Sequence, residues 1–316
     1  MQSKYILILA ILCTCCYSTR AQNEFDGIMM SKQQFCTGFM YGNSSWTNYW
    51  EGTLERNNLN LGRVRTQSIM YGANYGITDR LNVLVGLPYV ITKASAGQLA
   101  GMQGIQDGSL TVKYMPLEIT KGKSTYAIYA VGTASTPLSN YVKDYLPLSI
   151  GLGSTNLSIR AMFDYQYKRW FATLSSTFIR RSNITLDRNA YFTTQMHYTN
   201  EVAMPNAWQH QIRAGYRSSN LIAELMATRF TTVGGFDITR NNMPFPSNRM
   251  NSTAIETHIK YYLPGNWSSI SLDVNASTVV AGRNVGKSTM WGLGIFYLFD
   301  FSNTSQKSTS PTSPQP

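Results

Sequence analysis

The sequence predicts an all-β chain closed into an antiparallel transmembrane β-barrel of about twelve strands. Three observations carry that expectation. Segment after segment alternates apolar and polar residues with period two. The connections between these segments alternate long and short. The composition is poor in charge, at 14% Asp, Glu, Lys and Arg against about 25% in ordinary soluble domains. It is rich in aromatics, with 20 Tyr, 13 Phe and 6 Trp among 316 residues. A strand wall with one face in lipid and one in water needs this mixture, although a soluble β protein could share the composition.

The N-terminus reads as an export signal. Lys4 precedes an uncharged run from Tyr5 to Tyr17, too short to cross a bilayer as a helix. Thr19-Arg20-Ala21 then sets small residues three and one before a cleavage point. Residues 1–21 are therefore expected to leave as a signal peptide. Lipoprotein processing at Cys15 or Cys16 is the weaker alternative, because Thr14 or Cys15 would precede the modified thiol. Loss of Lys4 and Arg20 lowers the formal charge from +11 to +9 and leaves Cys36 as the sole cysteine, with no intramolecular disulfide. No later run is long and apolar enough for a membrane helix. The remaining alternatives are a soluble β protein or a barrel.

Residues 22–32 form a polar lead, expected in the periplasm, and 33–301 the barrel. The first strand is expected over Gln33 to Tyr41, followed by a polar, aromatic loop from Gly42 to Asn60. Val64 to Gly76 reads as the second strand, and Ile77 to Arg80 as a tight turn. Leu81 to Val90 alternates cleanly, with Pro88, which lacks an N–H, near its end. Ile91 to Gln106 is a loop. Asp107 to Tyr114 sets Leu110, Val112 and Tyr114 against Ser109, Thr111 and Lys113, and Met115 to Ser124 is expected to turn the chain.

Thr125 to Ser135 returns, and Thr136 to Ser149 is another loop. The next strand shows Leu157, Ile159, Ala161, Phe163, Tyr165 and Tyr167 on one face. Lys168-Arg169 turns into Trp170 to Arg180, and Arg181 to Asn206 is long and polar. Ala207 to Tyr216 and Leu221 to Thr231 flank a Ser-Ser-Asn turn. Thr232 to Met250 is again long. Asn251 to Leu263, the strand from Ile270 to Val280, and Thr289 to Phe301 complete twelve. Residues 302–316 are a Ser/Thr/Pro-rich tail, expected to be disordered.

Short turns on one side and long loops on the other are the habit of bacterial outer-membrane barrels. A β-sandwich has no reason to sort its loops this way. Ten or fourteen strands also fit shifted boundaries. In such a barrel the apolar face meets lipid, so the charged face points inward. Arg160, Asp164, Arg213, Glu224, Glu256, His258, Lys260 and Asp273 are thereby assigned to the lumen. They serve there either as ion pairs that fill and stabilise a plugged interior or as the polar lining of a channel.

Other motifs carry less. Ala281 to Ser288 (A-G-R-N-V-G-K-S) matches a relaxed phosphate-loop pattern. That chemistry needs a helix after the loop, and a strand pattern follows here, so a surface loop is the plain reading. His197, His210 and His258 lack metal-binding spacing. No cofactor and no metal is expected. The positive charge comes without a nucleic-acid motif. Arg63, Arg65, Lys168, Arg169, Arg180 and Arg181 near strand ends suit anionic lipid or lipopolysaccharide instead.

Three short patterns resemble a known family. Tyr75-Gly76-Ile77-Thr78-Asp79-Arg80-Leu81, Gly86-Leu87-Pro88-Tyr89, and Gln106-Asp107-Gly108 with Lys113-Tyr114 are similar to patterns in the outer-membrane transporter family named for the meta-pathway of phenol degradation. Asp107-Gly108 departs from that family's usual order, and the resemblance covers about Tyr71 to Tyr114. It implies a membrane barrel that takes up hydrophobic or aromatic compounds. Thr289 to Phe301 likewise resembles the closing strand that the barrel-insertion machinery reads.

Together these readings describe a monomeric outer-membrane channel for passive uptake of small solutes. A non-transporting surface barrel for binding or envelope organisation is the alternative. An outer-membrane lipid hydrolase pairing Ser or Thr with His197 or His210 is a third. Deleting Ser302 to Pro316 is expected to leave insertion into outer-membrane vesicles intact. Loss of insertion would show that Thr289 to Phe301 is not the closing strand.

Overall fold

The computed structural model describes residues 23–239 and 243–302. The expected signal peptide and all but the first residue of the tail lie outside them. Twelve long strands appear where alternation places them: β1 (Gln34–Trp46), β2 (Val64–Thr78), β3 (Leu81–Ala94), β4 (Asp107–Lys121), β5 (Ser124–Pro137), β6 (Asn156–Tyr167), β7 (Trp170–Arg181), β8 (Asn206–Arg217), β9 (Leu221–Val233), β10 (Asn251–Tyr262), β11 (Ile270–Arg283) and β12 (Thr289–Asp300). Each pairs antiparallel with its neighbours in sequence, and β1 closes the ring against β12. Closure leaves no sheet edge, the condition for a strand wall in lipid.

The strands run 12 to 15 residues. That exceeds the roughly 9–11 that cross a bilayer, so they project beyond the membrane. Side chains sort by parity. On β12, Trp291, Leu293, Ile295, Tyr297 and Phe299 are all exposed outward, Ile295 to 53%. Between them Leu298 is buried and Phe296 partly so. Aromatic pairs ring both levels. Tyr41 meets Trp291 at 5.5 Å and Phe178 meets Trp208 at 5.0 Å on the long-loop side; Trp170 meets Tyr216 at 5.4 Å and Tyr126 meets Tyr165 at 5.0 Å on the short-turn side. Such girdles flank the apolar band of an outer-membrane barrel.

β1 runs on to Trp46 and β3 to Ala94, into stretches expected as loops, and Gln103–Ile105 of the expected loop pairs with β3. Two larger expectations also need correction. Met115 to Ser124 is not a turn. β4 continues to Lys121, with its register shifting between Tyr114 and Leu117 around Pro116, and the turn is made at Gly122 with φ of 61°. Pro116 cannot donate to the ladder, so it sits at the bulge. Beyond the bulge the face inverts, which keeps Leu117 and Ile119 outward and explains why simple alternation loses the strand there. The second correction concerns the lead. Residues 23–31 do not trail away from the barrel. They turn back into the barrel, where Met30 is wholly buried and Ile28 packs with Cys36, Ile222, Tyr262 and Leu298.

The long connections also fold. Asn48–Glu51 and Leu54–Asn57 make a hairpin. Within the loop after β7, Ile184–Thr185 pairs with Glu201–Val202, and Tyr191–Phe192 pairs with Met196–His197. Ile184, Leu186, Tyr191, Val202 and Met204 from that loop pack on Phe245 of the loop after β9. Leu61, Val64 and Leu148 make a second apolar cluster among the first three long loops.

Ile295→Arg would place a cation on the lipid face near mid-strand. It is expected to lower unfolding free energy by about 2–4 kcal/mol, read as a shift in urea unfolding of the barrel from lipid vesicles. An unchanged midpoint would contradict the outward assignment of that face.

Candidate functional site in the barrel lumen

Inward-pointing residues must satisfy their charges inside the barrel, because the wall leaves them no other solvent. Seven of the eight sequence-assigned residues are buried inward: Arg160, Asp164, Arg213, Glu224, His258, Lys260 and Asp273. Glu256 points inward half-buried and accepts a short hydrogen bond from the Thr228 hydroxyl. The structure does not gather all eight into one group.

Five of them form a continuous chain across β8 to β11. Arg213 Nη1 donates to Glu224 Oε1 at 2.9 Å. The same oxygen lies 2.6 Å from His258 Nδ1, and His258 Nε2 lies 2.8 Å from Asp273 Oδ2. Lys260 Nζ is 3.4 Å from Asp273 Oδ2. A ring nitrogen facing a carboxylate on each side is the arrangement of an imidazolium, the only form with a donor at both positions.

Asp164 belongs to a different cluster. It accepts from Arg217 at 2.9 and 3.2 Å and from the Thr173 hydroxyl, while the Arg217 guanidinium lies 3.5 Å over the Phe171 ring. Arg160 donates to Thr177 Oγ1 at 2.8 Å and to the Glu24 carbonyl at 2.9 Å, and it covers the Phe25 ring at 4.1 Å.

The strongest anchor was not singled out by sequence reasoning. Lys113 on β4 is 0% exposed. Its ammonium donates to Asp26 Oδ1 at 2.8 Å and to the carbonyls of Asn23, Asp26 and Ile28 at 3.0, 2.7 and 2.8 Å. Tyr129 donates to the Gly27 carbonyl at 2.9 Å, and Thr111 to Glu24 Oε2 at 2.9 Å. The lead thus wraps the ammonium and supplies acceptors that water would otherwise provide. Lys113 already stood on the polar face of its strand. The lead itself has no periodicity to betray its course.

The lead makes its polar contacts on β4 to β6 and packs Ile28 toward β1, β9, β10 and β12, and it leaves part of the lumen unfilled. A cavity of about 210 Å³ lies between Asn23 to Phe25 of the lead and the wall of Met40, Met70, Gly72, Gly86 and Phe296, with Lys260 and Asp273 at its edge. The glycines keep this wall low. Lys260 and Asp273 join the cavity to the charge chain.

At the long-loop mouth, Asn284 ties three loops together. Its side chain donates to Asp237 and to the Arg249 carbonyl, both at 2.7 Å, and accepts from the backbone of Gly52 and Ile238. Arg283 makes paired bonds to Asp237 at 2.8 and 2.6 Å. This is the stretch with the phosphate-loop pattern. Its backbone donors are engaged by neighbouring loops, Asn284 N–H with Gly52 and Lys287 N–H with Asn48. The Arg283 bonds hold the Asp237 carboxyl below the usual carboxylate range.

The remaining histidines lie elsewhere. His197 stacks on Tyr191 and meets Thr193 Oγ1 at 2.9 Å in the hairpin after β7. His210 faces outward and stacks on Trp208 at 5.8 Å. Strand register sets Ser176 opposite His210, but no hydrogen bond joins them among the described residues.

No family model matches the chain, and no curated protein matches it in sequence. Among solved structures, it is similar to an outer membrane channel from Pseudomonas putida F1, with a TM-score of 0.70 at 14% identity, covering 88% of this chain and 100% of that one. The transport unit of the autotransporter AIDA-I from Escherichia coli aligns with a TM-score of 0.46 at 12% identity, over 93% of this chain and 97% of the other. The NanC porin gives 0.45 at 6%, over 82% and 98%. At such identities the likeness to the Pseudomonas channel is one of fold. The chain is a twelve-stranded β-barrel of outer-membrane type.

Lys113→Met would leave Asp26 buried without its cation, an expected loss of about 3–5 kcal/mol. With Ile28→Cys in a Cys36→Ser background, it should speed maleimide labelling of the lead about tenfold or more. Unchanged labelling would contradict the anchor. For the mouth, a depressed carboxyl contributes stability above its unfolded pKa and loses it as pH falls through the folded one. The loop contacts are therefore expected to persist from neutral pH down to the 3.8 of an ordinary aspartate and to weaken only below it. Protease protection of the loops across pH would read this, and Asp237→Asn should remove the acid transition.

Proposed function

We propose that this barrel sits in the outer membrane and is a channel for passive diffusion of small solutes. The observation that carries the reading is the unfilled, glycine-lined side of the lumen facing a charged wall. Buried ion pairs are poor sources of stability, and apolar residues of similar volume often serve as well or better. A barrel that only needed a solid interior would gain nothing from keeping Arg213, Glu224, His258, Asp273 and Lys260 in one chain. Lys260 and Asp273, at one end of that chain, face the cavity and offer water and solute fixed charge.

The cavity surface is mixed, with Met40, Met70 and Phe296 beside Lys260 and Asp273. That suits small solutes carrying an apolar face and a polar group. The three short patterns that resemble the phenol meta-pathway transporter family point the same way, toward hydrophobic or aromatic compounds. The narrow space selects by size.

A second reading has its own support. The loop clusters around Phe245 and Leu148 and the Asn284 hub roof the extracellular side, as in a closed barrel that binds a partner at its surface. Lipid hydrolysis is the weakest reading. Ser176 and His210 share an outer row whose next member is Arg229, and the Thr193–His197 pair at 2.9 Å has no carboxylate hydrogen-bonded to its ring among the described residues, so neither imidazole has a third group to orient it.

Planar-bilayer recordings separate the first two readings. The channel reading expects discrete conductance steps that Gly72→Leu reduces about twofold or more by filling the cavity. A Cβ at Gly72 meets only Phe296, at 3.7 Å, so the substitution fits without backbone strain. A protein silent toward all ions and solutes would favour the closed surface barrel.

A further inference from the structure

The outer wall carries a feature that the lumen does not use. Register places Ala130, Ala161, Ser176, His210 and Arg229 in one row across β5 to β9. All five point outward. The row below holds Ile128, Phe163, Leu174 and Ile212, and the row above holds Ile159, Phe178 and Trp208. Small side chains between two bulky rows leave a groove of about 520 Å³, lined by Ile128, Ala161, Phe163, Leu174, Ser176 and His210. Strands lie about 4.8 Å apart, so the three small residues span about 10 Å, room for part of an acyl chain, and His210 and Arg229 continue the row to about 19 Å.

The groove ends at His210, and Arg229 is next in the row. His210 is exposed and makes no hydrogen bond among the described residues. Arg229 is exposed and spends one donor on Thr253 at 2.6 Å. Thr231 stands above it, opposite Trp208, so the guanidinium has a low path upward to headgroup depth, as long cationic side chains take near interfaces. Arg180 stands outward at the extracellular end of the neighbouring β7. The outward faces of β6 to β10 carry Arg180, His210 and Arg229 and no Asp or Glu among the described residues. A lone cation in the apolar wall is costly; an anion at headgroup depth on the long-loop side offsets that.

We propose that this groove is a binding site for a phosphorylated, acylated glycolipid of the outer leaflet, lipid A. One acyl chain lies along the row of small residues, and a phosphate accepts hydrogen bonds from Arg229 and His210. The inference rests on the outer-membrane setting and is independent of the channel reading, since the groove faces away from the lumen.

Native mass spectrometry of the full barrel in detergent tests it. The probes are lipid A, its dephosphorylated form, phosphatidylglycerol and phosphatidylethanolamine. Lipid A should be retained about tenfold more tightly than the other three. R229Q with H210Q, and separately A161F filling the groove, should each weaken it about tenfold. S176F is the second groove-filling variant should A161F fold poorly, with folding read by the heat-dependent gel shift of a closed barrel. Arg65 and Lys93 form another exposed basic pair on the outer wall, on β2 and β3. R65Q with K93Q should leave binding within about twofold. Equal retention of phosphatidylglycerol, unchanged binding in the groove variants, or an equal loss in R65Q with K93Q would overturn the site. Bilayer conductance is expected to be the same in all these variants, so a silent channel would bear on the function and not on the groove.

Discussion

The interior of this barrel is organised around one buried ammonium. Lys113 has no solvent, and four oxygens from residues 23 to 28 replace it. A buried cation without such partners is among the most expensive features a fold can hold. The lead is therefore bound to β4, and everything on that side of the lumen follows. Tyr129, Thr111 and Arg160 have their partners in the same segment. What space remains lies against the glycines of β2 and β3. Position of the cavity and position of the lead are one fact seen from two sides.

The charge clusters divide the remaining wall. Asp164 serves Arg217, and the chain from Arg213 to Lys260 serves itself. Each cation has an acceptor nearby, so the lumen presents local dipoles and ion pairs more than one net sign. An interior of that kind exerts little long-range pull on either ion sign.

Much of the fold was legible because lipid enforces it. On β6, β10, β11 and β12 a one-residue error would put Arg160, His258, Asp273 or Asp300 against hydrocarbon, so the alternation is strict and the faces can be read directly. The legible part fades where that pressure stops. β4 passes the Pro116 bulge, which inverts parity and hides its last residues. The lead has no alternating face, because many of its contacts are made by carbonyls, and a carbonyl is the same in every residue. Arg217 sits at a strand end beside a polar turn and gave no signal apart from its charge. The lumen set was assigned from parity alone. Parity gives the face but not the partners, and so could not foresee that Asp164 would part from the His258 chain.

The most direct measurement compares water access on the two sides of the lumen. Met70→Cys stands on the open wall and Val131→Cys, in the same Cys36→Ser background, on the wall toward the lead, where Val131 is 2% exposed. In vesicles, a small charged thiol reagent should modify Met70→Cys rapidly and leave Val131→Cys unreacted. Equal protection of both would mean a sealed barrel. Equal reactivity would mean that the lead does not occupy its side, and either result would contradict the arrangement described.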